Sequence, residues 1–275
     1  MSGAGRSRGR TRGRGLDRTV GRDASRLALL SVVVALLLAG CLPAAATAEG
    51  RQIGGLYDVV VVIAAGVFVL VYALATFAII RYRVLRRRDA GEPRQVEGND
   101  LIEAIWTAIP LLIVGGLFVG TLAVLSRTEA RAATVAAEIH VRGFRWGWAF
   151  DYPKVGVAVS GLGIPGPEVV VPVGKPIRFV ITSDDVIHSF YVPQFLFKRD
   201  VIPGRQNVFD VTVEEAGTYH GQCAEFCGVG HSAMPFTVRA VTPQDYAAWL
   251  ASERAAGSSP APVSPEAAAT PAVSP

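Results

Sequence analysis

Residues 57–80 read YDVVVVIAAGVFVLVYALATFAII. Asp58, near the first end, is the one charged residue in this run. About 24 apolar residues in a row are enough to cross a bilayer with some tilt. The next eight residues, RYRVLRRR (81–88), hold five arginines, which places this end of the run on the cytoplasmic side. A second apolar run follows, from about Ile105 to Leu125, interrupted only by Pro110 and a few glycines. Two spans return the chain to its starting side, so the part after Ser126 is expected outside the cytoplasm. The composition agrees: 51% of the 275 residues are hydrophobic and 18% are charged, too apolar for an ordinary cytosolic enzyme. Three cysteines in this length exclude a disulfide-stapled scaffold.

Working outward toward the N-terminus, residues 1–26 are rich in Arg, Gly and Ser, and residues 27–38 form the short apolar run LALLSVVVALLL. Leu38-Ala39-Gly40-Cys41 comes next. A basic region, a short apolar core and small residues before a cleavage point describe an export signal. The cysteine straight after Ala-Gly resembles a bacterial lipoprotein signal, which implies cleavage before Cys41 and a lipid on its sulfur. The plainer reading is a short extra membrane helix with a chance cysteine. The leader holds eight arginines against Asp17 and Asp23. Without it the chain keeps 19 basic and 21 acidic residues, so the body carries no signature of nucleic-acid binding.

Working outward the other way, residues 137–242 read as strands. AEIHVRGFRWGWAF, EVVVPVGKPIRFVITS, NVFDVTV and MPFTVRAV are rich in β-branched and aromatic residues, separated by turn residues. About eight strands in this length predict a sandwich or small barrel. GLGIPG (161–166) matches a nucleotide-binding glycine pattern, but it contains Pro165 and opens no helix, so it reads as a loop. A short helix is expected over about 243–254. The Ala-, Pro- and Ser-rich tail from Ala255 reads as disordered. The domain plan is a signal at 1–40, an N-terminal segment with the membrane hairpin at 41–126, an all-β domain at 127–245, and the end of the helix with the tail at 246–275.

The chemistry is concentrated in CAEFCGVGHSAM (223–234). Two thiols, an imidazole and a thioether lie within twelve residues, and His188 precedes them by 35. These soft donors suit copper better than zinc. A mononuclear blue-copper site needs one Cys, two His and an axial Met. Here there are two cysteines, which can bridge two copper ions. His188 and His231 then serve one ion each. Met234 and the backbone carbonyl of Glu225 supply the weak axial donors, so the inventory closes on a binuclear copper centre. A Cys223–Cys227 disulfide or a single zinc ion would use fewer of these groups. His140 and His220 have no matching partners and read as non-ligands. Glu103, in LIEAIWTAIP at the cytoplasmic mouth of the second span, is a candidate functional carboxylate; the plainer reading is a first-turn glutamate favoured by the helix dipole.

Four motifs together carry a family resemblance: C-x-E-x-C-G-x-x-H-x-x-M-P (223–235), D-V-x-H-S-x-x-V-P (185–193), K-x-D-x-x-P-G-R (198–205) and L-x-E-x-x-W-T-x-x-P (101–110). Over about residues 50–245 the chain resembles subunit 2 of cytochrome c oxidase, the copper-A subunit of the haem–copper oxidases. The resemblance implies a two-helix hairpin with a cupredoxin-like extracytoplasmic domain, in a bacterial cell membrane. It implies copper-A ligands at His188, Cys223, Glu225 (backbone oxygen), Cys227, His231 and Met234, and a Mg²⁺ shared with subunit 1 at the Glu225 side chain. It implies electron inlet at Trp146, the first Trp of a run that in the family reads W-Y-W-x-Y and here reads Trp146-Gly147-Trp148-Ala149-Phe150. It implies that Glu103 marks the mouth of a proton path.

The function expected on this basis is passage of electrons from reduced cytochrome c to haem a in subunit 1, with O₂ reduced to water and protons pumped. The partners are subunits 1 and 3 and a cytochrome c that is soluble, tethered or complex-bound. No C-x-x-C-H is present, so no fused cytochrome is expected. Residues 129–242 hold eleven acids and ten bases, which gives no sign of strong steering of a basic donor. The rival functions are a copper-delivery protein for oxidase assembly and a copper-A electron-transfer protein of another reductase.

Overall fold

The computed structural model describes residues 42–84 and 97–257. The signal, Cys41, most of the arginine cluster and the tail beyond Gly257 lie outside the described residues.

Two long helices come first. Helix α1 (Ala48–Ile79) starts at Thr47, whose hydroxyl accepts from the Gly50 amide at 2.9 Å, and runs on into a π turn at Ile80–Val84. Helix α2 (Asp100–Thr128) is capped by the Asn99 side chain, which accepts from the Ile102 amide at 3.1 Å. Over its apolar window each is apolar on every side and exposed, the condition of a helix whose solvent is lipid. Their most apolar windows have mean hydropathies of 2.7 and 2.4.

Helix α1 begins nine residues before the expected span. The first of these extra residues, AEGRQIGGL, lie against the β domain: Glu49 accepts from the Thr212 amide at 2.9 Å, and Gly50 and Gly54 face Phe195 and Leu196. The segment before them is stitched in as well: Thr47 bridges Val213, and the Ala46 amide donates to the Gln194 carbonyl at 2.8 Å. Gly50 is a glycine because a Cβ there would meet the Phe195 carbonyl at 2.7 Å.

The β domain has ten strands rather than about eight. They are β1 (Ala137–Phe144), β2 (Gly147–Tyr152), β3 (Val157–Leu162), β4 (Glu168–Pro172), β5 (Ile177–Ser183), β6 (His188–Val192), β7 (Phe197–Val201), β8 (Asn207–Val211), β9 (Gly217–Cys223) and β10 (Pro235–Val241). The count rises because two stretches that read as single strands are each two: 137–150 folds back at Arg145-Trp146, and 168–183 breaks at the Val173–Pro176 turn. One sheet has the order β3-β2-β1-β5-β8 and the other β4-β10-β9-β6-β7. The pairs β1·β5 and β4·β10 are parallel and the others antiparallel.

Alternation along β1, β5 and β10 sends every second side chain inward. The core between the sheets is aromatic: Phe190 stacks on Phe236 with centroids 4.6 Å apart, Phe179 on Phe209 at 5.3 Å, and Trp148 meets Phe236 edge-on at 5.2 Å. GLGIPG (161–166) forms the end of β3 and the turn into β4, and opens no helix. Helix α3 (Pro243–Ala256) closes the domain, with Trp249 against Tyr152.

A buried ion pair ties the exit of α2 to the sandwich. Arg178 donates to both carboxylate oxygens of Asp210, at 2.8 and 2.7 Å, and the Ala132 amide donates to the same carboxylate at 2.7 Å. Burial raises the Asp210 pKa, but Arg178 and the amide outweigh it, so the net shift is downward. The stability this supplies is present above the ordinary aspartate pKa and is lost as pH falls through the lower, folded value. Asp210→Asn should therefore destabilise the domain near neutral pH. The gap from the parent should close below about pH 4. Thermal unfolding of the detergent-solubilised chain across pH checks this; a gap that persists into acid would contradict it.

Candidate metal centre

The site is built by loops at one end of the sandwich. His188 is the first residue of β6, Cys223 the last of β9, and Phe190 pairs with Cys223 across the two strands. Adjacent antiparallel strands thus bring together residues 35 positions apart. From Cys223 the chain leaves the sheet, and the Ala224 amide donates to the Ser189 carbonyl at 3.1 Å. The loop turns back through a short 3-10 helix at His231–Ala233 and re-enters the sheet at Pro235.

The donor atoms converge. Cys223 Sγ is 3.9 Å from His188 Nδ1 and 4.0 Å from Cys227 Sγ. Cys227 Sγ is 3.7 Å from His231 Nδ1 and 3.4 Å from Met234 Sδ. The Glu225 carbonyl oxygen is 3.2 Å from Cys223 Sγ. The ligand atoms of His188, Cys223 and Cys227 all lie within 4.8 Å of one another. His188, Cys223, Cys227 and Met234 are buried; His231 is partly open. Both thiols are free. Two thiols, two imidazoles, a thioether and a carbonyl around one small volume are a soft donor set of the kind copper takes.

Two tryptophans of the β1–β2 hairpin hold this loop. Trp148 Nε1 donates to the Met234 carbonyl at 3.0 Å, and Trp146 Nε1 to the Cys227 carbonyl at 3.3 Å. The Trp146 ring lies so close over Gly230 that a Cβ there would run into it. His188 is held from behind, with Nε2 2.8 Å from Asp185 Oδ1, which leaves Nδ1 facing the cysteines. Asp185 also accepts from the Arg145 amide at 2.8 Å, joining the His188 loop to the turn that carries Trp146.

Comparison with known proteins identifies the family. The chain matches the family described as "Cytochrome C oxidase subunit II, periplasmic domain" over residues 162–241, and "Cytochrome C oxidase subunit II, transmembrane domain" over 33–124. It is 36% identical to a probable cytochrome c oxidase subunit 2 of Streptomyces avermitilis, over 74% of this chain and 76% of that one. The cytochrome c oxidase subunit 2 of Synechocystis sp. is 28% identical, over 77% and 75%. The chain belongs to the cytochrome c oxidase subunit 2 family. Among solved structures, the periplasmic domain of subunit II of the Bradyrhizobium japonicum oxidase aligns with 34% identity and a TM-score of 0.43, covering 46% of this chain and 99% of that one.

Within this subunit 2 fold, the sequence-derived residues fall in three places. The six donors and Trp146 meet at the loop end of the β domain. The Glu225 side chain points away from the sulfurs and pairs with Lys198 at 3.1 Å. Glu103 sits far from them in the first turn of α2, where the helix dipole favours it. His140 is 3.3 Å from Glu138, and His220 lies on the exposed face of β9; neither approaches the sulfurs. Sequence reasoning missed Asp185 and Trp148. Asp185 stands three residues before His188 in the D-V-x-H-S motif, and that spacing was the available signal.

Burial raises the Cys223 thiol, but the His188 imidazole, the backbone at Glu225 and Ser189, and His231 together outweigh this and bring it down to about 6. Burial and the Cys223 thiolate together push Cys227 up to about 12. Without metal, the pair therefore carries one negative charge across the neutral range. Thiolate absorbance of the metal-free chain, in a Cys41→Ser background, should show one ionisation near pH 6 and none more until strongly alkaline pH. Cys223→Ser should abolish the lower step. Two overlapping steps near the ordinary thiol value of about 8.5 would contradict this.

Proposed function

We propose that this chain is the electron inlet of a respiratory terminal oxidase. It takes single electrons from reduced cytochrome c and passes them to haem a in subunit 1, where O₂ is reduced to water with proton pumping. The observation that supports the reading most directly is the convergence of six donor atoms, three of them soft sulfurs, on the loop that Trp146 hydrogen-bonds.

His188, Cys223, Cys227, His231, Met234 and the Glu225 carbonyl would hold a binuclear copper-A centre. Bound there, the copper pair supplies one-electron chemistry with little change of geometry. The protein's own part is to exclude water, to orient the donors and to give up a proton. The buried Cys227 thiol must lose its proton for both sulfurs to bind as thiolates, so copper loading releases a proton from this residue. Trp146, partly exposed and hydrogen-bonded to the Cys227 carbonyl, links the surface to a ligand residue.

On the other side of the loop, Glu225 pairs with Lys198, and the neighbouring Arg199 pairs with Glu129 just past the end of α2. That position supports the Glu225 side chain as a ligand to Mg²⁺ shared with subunit 1. Glu103 would stand at the mouth of a proton path leading into subunit 1. The hairpin would sit in a bacterial cell membrane beside subunits 1 and 3, with Cys41 acylated and the β domain outside.

The detergent-solubilised chain reconstituted with copper should bind two ions. Its EPR spectrum should show one unpaired electron split equally by two copper nuclei. Cys227→Ser and His188→Ala should each abolish that pattern. One copper per chain with a four-line spectrum would overturn the binuclear reading and, with it, the electron inlet.

A further inference from the structure

Among the described residues, Trp148 is the largest side chain with no exposed surface at all. Its ring is locked in place. Phe236 meets it edge-on at 5.2 Å and Phe190 at 6.3 Å. Phe236 is itself pressed onto β9, where a Cβ on Gly221 would lie 2.2 Å from its ring. An indole N–H buried in such a place needs an acceptor. The one it takes lies 86 residues further along the chain: Nε1 donates to the Met234 carbonyl at 3.0 Å.

That carbonyl belongs to the peptide between the short 3-10 turn at His231–Ala233 and Pro235, the first residue of β10. Proline has no N–H, so β10 enters the sheet with no amide bond at its first residue. The Trp148 bond therefore holds the peptide at the point where the donor loop rejoins the sheet. The Met234 side chain leaves from the same residue, is 1% exposed, and puts Sδ 3.4 Å from Cys227 Sγ. A rotation of this peptide swings the thioether against the thiols.

The same indole borders a second donor. Its cross-strand partner on β1 is Gly143. The room a side chain would take there is filled by His188: a Cβ on Gly143 would lie 3.2 to 3.3 Å from the His188 side chain. The imidazole stands edge-on to Trp148 with centroids 6.2 Å apart. One rigid ring thus packs against His188 and holds Met234 by its N–H.

We propose that Trp148 is a positioning residue whose indole N–H, acting through the Met234 carbonyl, sets how strongly the Met234 thioether serves the metal pair. The inference rests on the copper-A reading and adds to it a residue that touches no metal. An axial thioether is a weak donor, and its strength tunes the potential of a copper site. A weak donor is held in place more by the protein around it than by its own bond to metal. With the N–H removed, the Met234 carbonyl loses its partner and the thioether can withdraw. The oxidised centre then receives less electron density, so the potential rises, and the unpaired electron is shared less evenly.

The test uses the detergent-solubilised chain reconstituted with copper. Trp148→Phe removes the N–H and part of the ring. Benzothienylalanine placed at position 148 keeps the bicyclic shape and removes the N–H alone, so the core stays filled where Trp148→Phe fails to fold. Each variant should still bind two coppers. Each should raise the reduction potential, by no more than Met234→Leu does, and should make the copper hyperfine splitting in the EPR spectrum unequal. In a Met234→Leu background, benzothienylalanine at 148 should add no further shift, because the indole acts through the thioether. An unchanged potential and spectrum with benzothienylalanine would overturn the proposal and leave Trp148 a packing residue. A shift that adds in full to that of Met234→Leu would overturn it as well. A parent that lacks the two-copper EPR pattern would overturn the copper-A reading itself, which keeps the two failures distinct.

Discussion

The donor loop has no regular structure of its own between Cys223 and the turn at His231, yet it must hold two thiols and a thioether in a dry pocket. Two indole N–H groups from one hairpin make that possible. Trp148 fixes the Met234 carbonyl from inside the core, and Trp146 fixes the Cys227 carbonyl from the rim. Each bond satisfies a backbone acceptor of the loop, one in the middle and one at the far end of the segment that carries the donors. Trp148 also packs edge-on against Phe190, Phe236 and His188, so the same side chain joins the aromatic core to the site. The rigidity of the core is passed to the donors through contacts of this kind rather than through the loop's own backbone.

The same economy appears where the β domain meets the membrane helices. Two short junctions carry the connection. One is the extended segment ending at Thr47, which bridges Val213 and continues into a helix whose first turns lie on the domain. The other is the Arg178–Asp210 pair, which receives the chain as it leaves α2. Two attachments at separate points resist rotation of the domain about either helix. Under the proposed electron-inlet reading this matters, because electron transfer to a neighbouring subunit depends on distance.

The chain departs from the aromatic run that the family resemblance implies at Gly147 and Phe150, and at Gly147 the structure gives the reason. The Gly161 carbonyl occupies the space that any side chain would need there. A large aromatic ring has been replaced by a close approach of backbone. GLGIPG, which looks like a phosphate-binding pattern when read as letters, serves this packing: the Gly161 carbonyl abuts Gly147, and Gly166 is pressed against the Pro235 carbonyl.

Much was legible beforehand because it depends on composition and local order. The apolar runs and the arginines at 81–88 determined a membrane hairpin and its direction, since a bilayer reads length and charge. The types and spacing of Cys223, Cys227, His231 and Met234 determined the class of metal chemistry, since donor softness belongs to each side chain. What the sequence by itself could not decide lies in contacts between distant segments. Helix α1 begins nine residues before the apolar run, and its first turn is held to the β domain, where Gly50 permits close approach to the Phe195 carbonyl. One apparent strand became the β1–β2 hairpin because Trp146 is pulled over the donor loop. Asp185 became the support of His188 only when β6 was paired with β9. Periodicity and residue chemistry are written along the chain; which backbone carbonyl meets which indole is settled only when the two sheets close on each other.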